Sequence, residues 1–576
     1  MTKKHLPYNR IINCHTHVFT GDHVPPYIAK TFLPWPFYYL VSVNLIVSAF
    51  RFYYGQLKSY RFGTLGKLAA KRLYIFKMFI ARSKILSILV FMIGLFLSLQ
   101  VFFIIAGWLS VVESPSGSLS VFLKEIENWL IDRHLLYSGA TPAVAVVFVF
   151  LFLLFYKAGR NLVFFVLKRI WSFLGILPGK KTKELASRYI NIGRFAAYQG
   201  QSGIFTKLQD QYPVGTGFVV LPMDMGYMDA GKSKEDYATQ MAKLSKIKES
   251  KPDAVFPFVF ADPRRMVEEG AKQFDYKVVA NQVVLEPCFI KDYIEGEQFS
   301  GFKIYPALGY YPFDEVLLPL WKFAADKGLP IMTHCIRGTI FYRGTKKKEW
   351  DYHPVFTQAD EKTPLMLGQI KNSEFINNFT HPLNFLCLLD EFFLAKLVGR
   401  AKDKRIRDLF GYDEKAKTIQ HNLSHLKVCF GHFGGDDEWT KFLESDRDQY
   451  CNALVKYPNI GIRFRTNTKG LPKPGKIEQL WKYTDWYSII CSMMLQYDNV
   501  YADLSYIIHN NAIQPLLRQT LLNPLLREKV LFGTDFYVVR NHKSEKNMLA
   551  ESLEHLCDAD FKQIAVCNPA HFLYHT

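Results

Sequence analysis

The 576-residue chain predicts an α/β protein, a TIM-type (β/α)8 barrel interrupted early by an α-helical transmembrane hairpin. Three observations predict it. Eight short apolar runs each end in a small cluster of His, Asp or Lys, with helical patterns between them. Two longer runs contain no charged residue. The basic residues gather beside those two runs. With 49% hydrophobic and 15% aromatic residues, the composition excludes wholesale disorder and low complexity.

Charge locates the membrane segment. The net charge is +19, and sixteen of it comes from two stretches without acids, nine basic residues in 51–84 and seven in 157–183. Between them, Ile85–Val112 and Leu135–Tyr156 are uncharged and lack a polar stripe. At about 1.5 Å per residue each suffices for a hydrocarbon core of about 30 Å. The connector 113–134 carries a net −2, so the positive-inside rule puts the basic flanks in the cytoplasm and the connector outside. Residues 31–50, with two prolines and a row of aromatics, suit an interfacial or re-entrant segment, and Lys67 and Lys71 suit a helix on anionic headgroups. A nucleic-acid partner is not expected, because the basic clusters abut the spans. No cleavable signal peptide is expected either, since the first 30 residues lack an apolar core. Nine cysteines, an odd number without CxxC spacing, suit reduced buried thiols.

The domain plan follows. Residues 1–30 hold the first barrel strand, and 31–183 are a membrane insertion: an interfacial part 31–84, spans 85–112 and 135–156, and a basic flank 157–183. Residues 184–576 complete the barrel. The strands are expected at Ile11–Asn13, Gly217–Met223, Val255–Phe260, Gly301–Tyr305, Leu329–Thr333, Leu426–Gly431, Val500–Leu504 and Val530–Gly533. Two further insertions, 338–425 and 459–497, follow strands or their helices and either roof the mouth or decorate the surface.

The chemistry sits at strand ends, where barrels place catalytic groups. In Ile11-Ile12-Asn13-Cys14-His15-Thr16-His17, strand alternation sends His15 and His17 to one face. Further strands end in His334, in Gly431-His432-Phe433-Gly434-Gly435 and in Gly533-Thr534-Asp535. Imidazoles and a carboxylate converging from separate strands suit Zn²⁺ or a similar metal with a position left for water. Cys14 and Cys335 adjoin these residues, and alternation aims them away as packing groups. Arg337, just past His334, is a candidate grip for a substrate carboxylate.

The order HxH, His, GHFGG, GTDF resembles the amidohydrolase superfamily, and within it the amidohydrolase-related group called amidohydrolase 2. The resemblance extends to Gly301-Phe302-Lys303-Ile304-Tyr305-Pro306, Val500-Tyr501-Ala502-Asp503-Leu504-Ser505, Thr380-His381-Pro382 and Cys567-Asn568-Pro569-Ala570, and covers residues 1–30 and most of 184–576. Asn13 departs from it, standing where the family often has Asp, and the membrane insertion is not a family feature. The resemblance implies one catalytic divalent metal, zinc first, on His15, His17, His334 and Asp535. His432 would polarise the reacting carbonyl or bind a second metal. Lys303 would bridge a second ion once carboxylated, or contact substrate, or be structural; Tyr305 is a further substrate contact. The implied activity is hydrolysis of an amide, ester or lactone by activated water, with Asp535 as general base and then acid. Non-oxidative decarboxylation uses the same residues and is the alternative. A non-catalytic membrane scaffold is a third reading, which the intact ligand set opposes. The expected partners are a small-molecule or lipid-like substrate and the bilayer. The barrel is expected on the cytoplasmic side, its mouth towards the membrane interface, because the insertion leaves the chain 15 residues after His17.

Overall fold

Short runs rich in Val, Ile and Phe form the parallel strands of the barrel in the computed structural model. It describes residues 10–52, 64–110, 118–139, 141–156, 159, 161, 180–198, 200–338, 340–368, 375–444, 450–467 and 469–574. Eight strands lie side by side in chain order: β1 (Ile12–Thr16), β2 (Gly217–Val220), β3 (Val255–Pro257 continued as Val259–Phe260), β4 (Phe302–Ile304), β5 (Ile331–His334), β6 (Val428–Gly431), β7 (Val500–Asp503) and β8 (Val530–Leu531). All the pairings are parallel. The ring closes where Cys14 N donates to Phe532 O at 2.8 Å and Asp535 N to His15 O at 2.9 Å. The eight expected runs are therefore the eight staves of a closed barrel.

The interior is packed. Ile12, Cys14, Val219, Phe256, Met332, Cys429, Tyr501 and Leu531 form one buried cluster. Each fully buried large side chain contributes about 1.5–3 kcal/mol to such a core. Cys14 corrects the expectation from alternation: it points inward. The β1–β2 register slips between Asn13 and Thr16, and this bulge lets both Cys14 and His15 turn inward while Asn13 faces out to Tyr212. Cys335 sits in the outer core, its thiol 3.6 Å from Thr380 O. None of the nine cysteines is in a disulfide, and seven are buried.

The chain divides into two compact units, residues 1–51 with 184–576, and residues 52–183. The boundary near residue 30 therefore moves to Arg51. Helix α1 (Val43–Phe52) buries Val43 and Val47 in the barrel's outer core, and Arg51 pairs with Asp22 at 2.5 Å. The opposite side of this segment stays apolar and open, with Trp35 75% and Leu40 70% exposed.

The second unit contains α2 (Thr64–Arg82), α3 (Lys84–Ser110), α4 (Ser118–Asp132) and α5 (Pro142–Phe155). Lys84–Leu109 is the one helix among the described residues long and apolar enough to cross a membrane. The second expected span is shorter than its apolar run. Thr141 caps α5, Pro142 opens it, and its 14 residues reach only about 21 Å at 1.5 Å each. The two helices pack antiparallel: Ser98 Oγ lies 2.9 Å from the Tyr156 hydroxyl, and Tyr137 N donates to Gln100 Oε1 at 2.9 Å. Most of the basic flank 157–183, and Val111 and Val112 of the first span, lie outside the described residues.

Both later insertions join the core. In 338–425 a hairpin pairs Tyr352–Thr357 with Pro364–Met366 and buries Phe356 and Leu365. In 459–497, α7 is Lys476–Tyr483 and α8 is Trp486–Gln496. Helix α8 is buried from Trp486 to Met494, so it forms part of the outer layer next to β7.

Candidate metal centre

β1 delivers His15 and His17, and the loop after β8 delivers Asp535. His17 Nε2 lies 3.3 Å from Asp535 Oδ1, and His15 Nε2 lies 4.0 Å from the same oxygen. Glycines make room for this approach. A Cβ on Gly431 would stand 2.6 Å from Thr333 O and 3.0 Å from His15 Cε1, and one on Gly533 would stand 3.0 Å from His15 Cβ. The motifs at the ends of β6 and β8 thus carry glycine because the His15 ring occupies that space.

The other ring nitrogens fix the tautomers. His15 Nδ1–H donates to Asp503 Oδ2 at 2.8 Å, and His17 Nδ1–H donates to Leu221 O at 2.8 Å. Each Nε2 therefore presents a lone pair. His15 Nε2 is buried with no hydrogen-bond partner. Three acceptors, two imidazole lone pairs and a carboxylate oxygen, face one point. One proton satisfies a single pair of them, whereas one cation satisfies all three. The donor set, two nitrogens and a carboxylate, suits a borderline divalent ion. These three residues offer donor atoms within 4.8 Å of one another.

Asp503 was not assigned a role from sequence, and it organises the centre. Its Oδ1 accepts from His432 N at 3.0 Å, from Ser505 N at 2.9 Å and from the Ser505 hydroxyl. Burial works to raise its carboxyl, but His15, with the other donors, overrides this and holds it well below the carboxylate range. His15 is pushed down to about 3, by burial first, against the pull of Asp503. The resulting state is an ionised aspartate beside a neutral imidazole. The signal was present, since Asp503 is a charged residue ending an apolar run like the histidines.

His334 and His432 form a second layer. The Ser505 hydroxyl donates to Asp503, so His432 Nδ1–H donates to Ser505 Oγ at 2.8 Å and its Nε2 accepts from His334 Nδ1 at 3.0 Å. His432 thus positions His334, and with His15 and Asp503 it forms a second group whose donor atoms lie within 4.8 Å of one another. His334 Nε2 keeps a buried, unpartnered lone pair but lies outside the compact set of three. Both rings are held below the ordinary imidazole range, chiefly by burial. Tyr305 stacks on His334, with ring centroids 3.9 Å apart at 17°. Strained backbone collects here, with positive φ at His432 (66°), Tyr506 (63°) and Asp535 (63°). Such outliers cost about 1–3 kcal/mol each and persist where surrounding contacts over-determine them.

Lys303 points into the barrel from β4, fully buried, its Nζ without a hydrogen-bond partner. Burial pushes its amine down to about 8, against the pull of Asp503 and Asp535. Arg337 is directed elsewhere: its guanidinium pairs with Glu438 at 3.1 Å and lies 5.1 Å from the Trp486 ring. Helix α6 (Lys180–Phe195) supplies a different cation, Arg188, paired with Glu184 at 2.7 Å and acting on Tyr305 and Tyr506. Asn191 of the same helix donates to Val538 O at 2.9 Å, which ties it to the loop following Asp535.

No protein-family model matches the sequence, and no curated protein matches it. Among solved structures, 5-carboxyvanillate decarboxylase LigW from Sphingomonas paucimobilis is similar at a TM-score of 0.35 and 12% identity, over 66% of this chain and 84% of that one. 4-Oxalomesaconate hydratase LigJ from Rhodopseudomonas palustris matches at 0.29 and 12%, over 64% and 79%. An amidohydrolase from Mycobacterium avium subsp. paratuberculosis K-10 matches at 0.29 and 14%, over 66% and 75%. Scores at this level assign the chain neither a family nor a reaction. Its chemistry rests on the site itself.

Proposed function

We propose that the chain is a membrane-anchored, metal-dependent hydrolase of an amide, ester or lactone-type carbonyl. One observation carries this reading: His15 Nε2, His17 Nε2 and Asp535 Oδ1 face one another as buried acceptors. These residues would hold a divalent ion, zinc by donor chemistry, with His334 as fourth ligand. The ion supplies Lewis acidity towards a carbonyl and towards water. Asp535 takes the proton of the attacking water and returns it to the leaving group. Asp503 and the Leu221 carbonyl keep the two imidazoles in the ligating tautomer. Tyr305 fixes the His334 ring plane, and the packed interior below Cys14 keeps bulk water out. The test is metal analysis of the purified chain beside His17→Ala and Asp535→Ala variants. The wild type should hold about one zinc and each variant far less; variants that retain full occupancy refute the reading.

A decarboxylase is the second reading. It is favoured by Lys303, a fully buried amine without a hydrogen-bond partner that points into the barrel and suits a substrate carboxylate. Product analysis separates the two, CO₂ release against bond hydrolysis.

For the membrane, the supports are the 27-residue α3, the charge asymmetry across the apolar runs and the apolar outward face at Trp35 and Leu40. In this reading α3 crosses and the apolar run 135–156, which contains α5, returns, so the basic flanks and the barrel all lie in the cytoplasm, and the substrate is amphiphilic. A cysteine placed at Ser118 should react with an impermeant thiol reagent from outside intact cells; protection there, with barrel residues labelled, inverts the topology. For the substrate, each CH₂ buried on binding contributes up to about 0.8 kcal/mol, close to fourfold in kcat/KM. A flat dependence on acyl length removes the amphiphile.

A further inference from the structure

A second concavity, of about 370 Å³, lies well along the chain from the metal ligands, in the segment between β6 and β7. Its walls include Lys456, Arg463, Lys473 and Lys476 with Tyr450 and Tyr457. Among the described residues, none that lines it is acidic. The lysines' partners are neutral oxygens: Lys473 Nζ donates to the Tyr450 hydroxyl at 3.3 Å, and Lys476 Nζ to Thr466 O at 2.7 Å.

An ordinary solvated basic face does not bury a lysine, yet Lys476 is only 7% exposed. Burial, then the neighbouring Lys473 and Arg463, push its amine down to about 8. A buried ammonium beside two other cations is costly unless a counter-charge completes the site. Two further features gather positive charge at this spot. Both lysine amines lie over the Tyr450 ring, at 5.7 and 5.5 Å from its centroid, which holds them on one side of the cavity. Lys476 also opens α7, an eight-residue helix whose N-cap, Gly475, has φ 74° and offers no side-chain cap. Its first-turn amides therefore add partial positive charge.

The geometry points to a binding site for a phosphate ester in this cavity, independent of the metal centre. Four cations outweigh a single carboxylate, while a phosphate monoester brings a charge of about −1.5 to −2 and three acceptor oxygens. The volume is within the range of small-ligand sites, and the Tyr450 and Tyr457 rings give the organic part a surface to rest on. The phosphate comes from a soluble ester or from a lipid headgroup, since the chemistry recognised is the same.

Calorimetric titration of the full chain in non-ionic detergent tests this, with adenosine monophosphate, glycerol 3-phosphate and dihexanoyl phosphatidate as probes. At least one should bind at one per chain. Binding should weaken by about tenfold or more in the exposed-residue variant Arg463→Gln/Lys473→Gln and stay unchanged in His17→Ala, whose metal centre is lost. Tighter binding of the phosphatidate than of glycerol 3-phosphate assigns a lipid source; equal binding, or preference for the nucleotide, assigns a soluble one. Saturation by none of the three probes overturns the site. So does equal affinity in wild type and the Arg463→Gln/Lys473→Gln variant, or loss of binding in His17→Ala with the melting temperature retained.

Discussion

Asp503→Asn removes one charge and almost no volume, and the structure says which way the new amide must face. Oδ1 of Asp503 receives three donors, the amides of His432 and Ser505 and the Ser505 hydroxyl, while Oδ2 receives His15 Nδ1–H and the weaker Cys429 thiol. An asparagine turned to keep the His15 bond would set its NH₂ against three donors, so it keeps its oxygen towards those three. The NH₂ then faces His15 Nδ1. His15 either loses a charge-assisted bond of about 1.5–3 kcal/mol or moves its proton to Nε2, which destroys the lone pair the ion needs. Outer-shell changes of this kind lower metal affinity by about 10–100-fold, or about 1.4–2.7 kcal/mol. Zinc affinity is read by competition with a chromophoric chelator, with melting temperatures taken in parallel. Because the effect passes through His15, Asp503→Asn should cost nothing further in a His15→Ala background. A variant that melts lower but binds zinc within about twofold of wild type, or additive losses in the double variant, would show that Asp503 only ties strands together.

Three further outcomes follow from other parts of the fold. Gly431→Ala puts a methyl 2.6 Å from Thr333 O and should cost about 1–3 kcal/mol by overpacking; the melting temperature and zinc affinity should fall together, since the same methyl presses on His15. His353 is buried and neutral, with Nδ1 accepting from Val355 N and Phe356 N at 3.1 and 2.8 Å, and burial pushes it down to about 3. Its contribution is complete above about pH 6.5 and shrinks by about 1.4 kcal/mol per unit as pH falls towards 3, so hydrogen exchange at those two amides should lose about tenfold protection per unit beyond the intrinsic rate change. Glu545 has the opposite sign: burial raises its carboxyl from 4.5 to about 7, while the Tyr212 and Thr534 hydroxyls bonded to it pull the other way. Its contribution is complete below about pH 4.5 and is lost as pH rises through 7. Glu545→Gln should therefore gain up to about 3 kcal/mol over wild type at pH 8 and nothing near pH 4, and melting shifts equal at both pH values would remove the assignment.

The barrel was legible in the sequence because each strand is a local signal, a β-branched or aromatic run ending in a polar residue, and chain order alone arranges parallel strands around a closed ring. His15, His17 and Asp535 were legible for the same reason, as strand-end residues of ligating type. What depended on partners distant in sequence was not. Cys14 turns inward because β1 carries a bulge against β2, which no alternation rule registers. The second apolar run is helical only from Pro142, since hydropathy does not say where a cap will stop it. Arg337 pairs with Glu438, about a hundred residues on, and the two nitrogens of His432 are bonded to Ser505 and His334, contacts that no local pattern announces. Sequence determined which residues of ligating type stand at the strand ends. Tertiary structure decided which nitrogen each presents, because a tautomer is set by the hydrogen bond on the far side of the ring, and that partner comes from another strand.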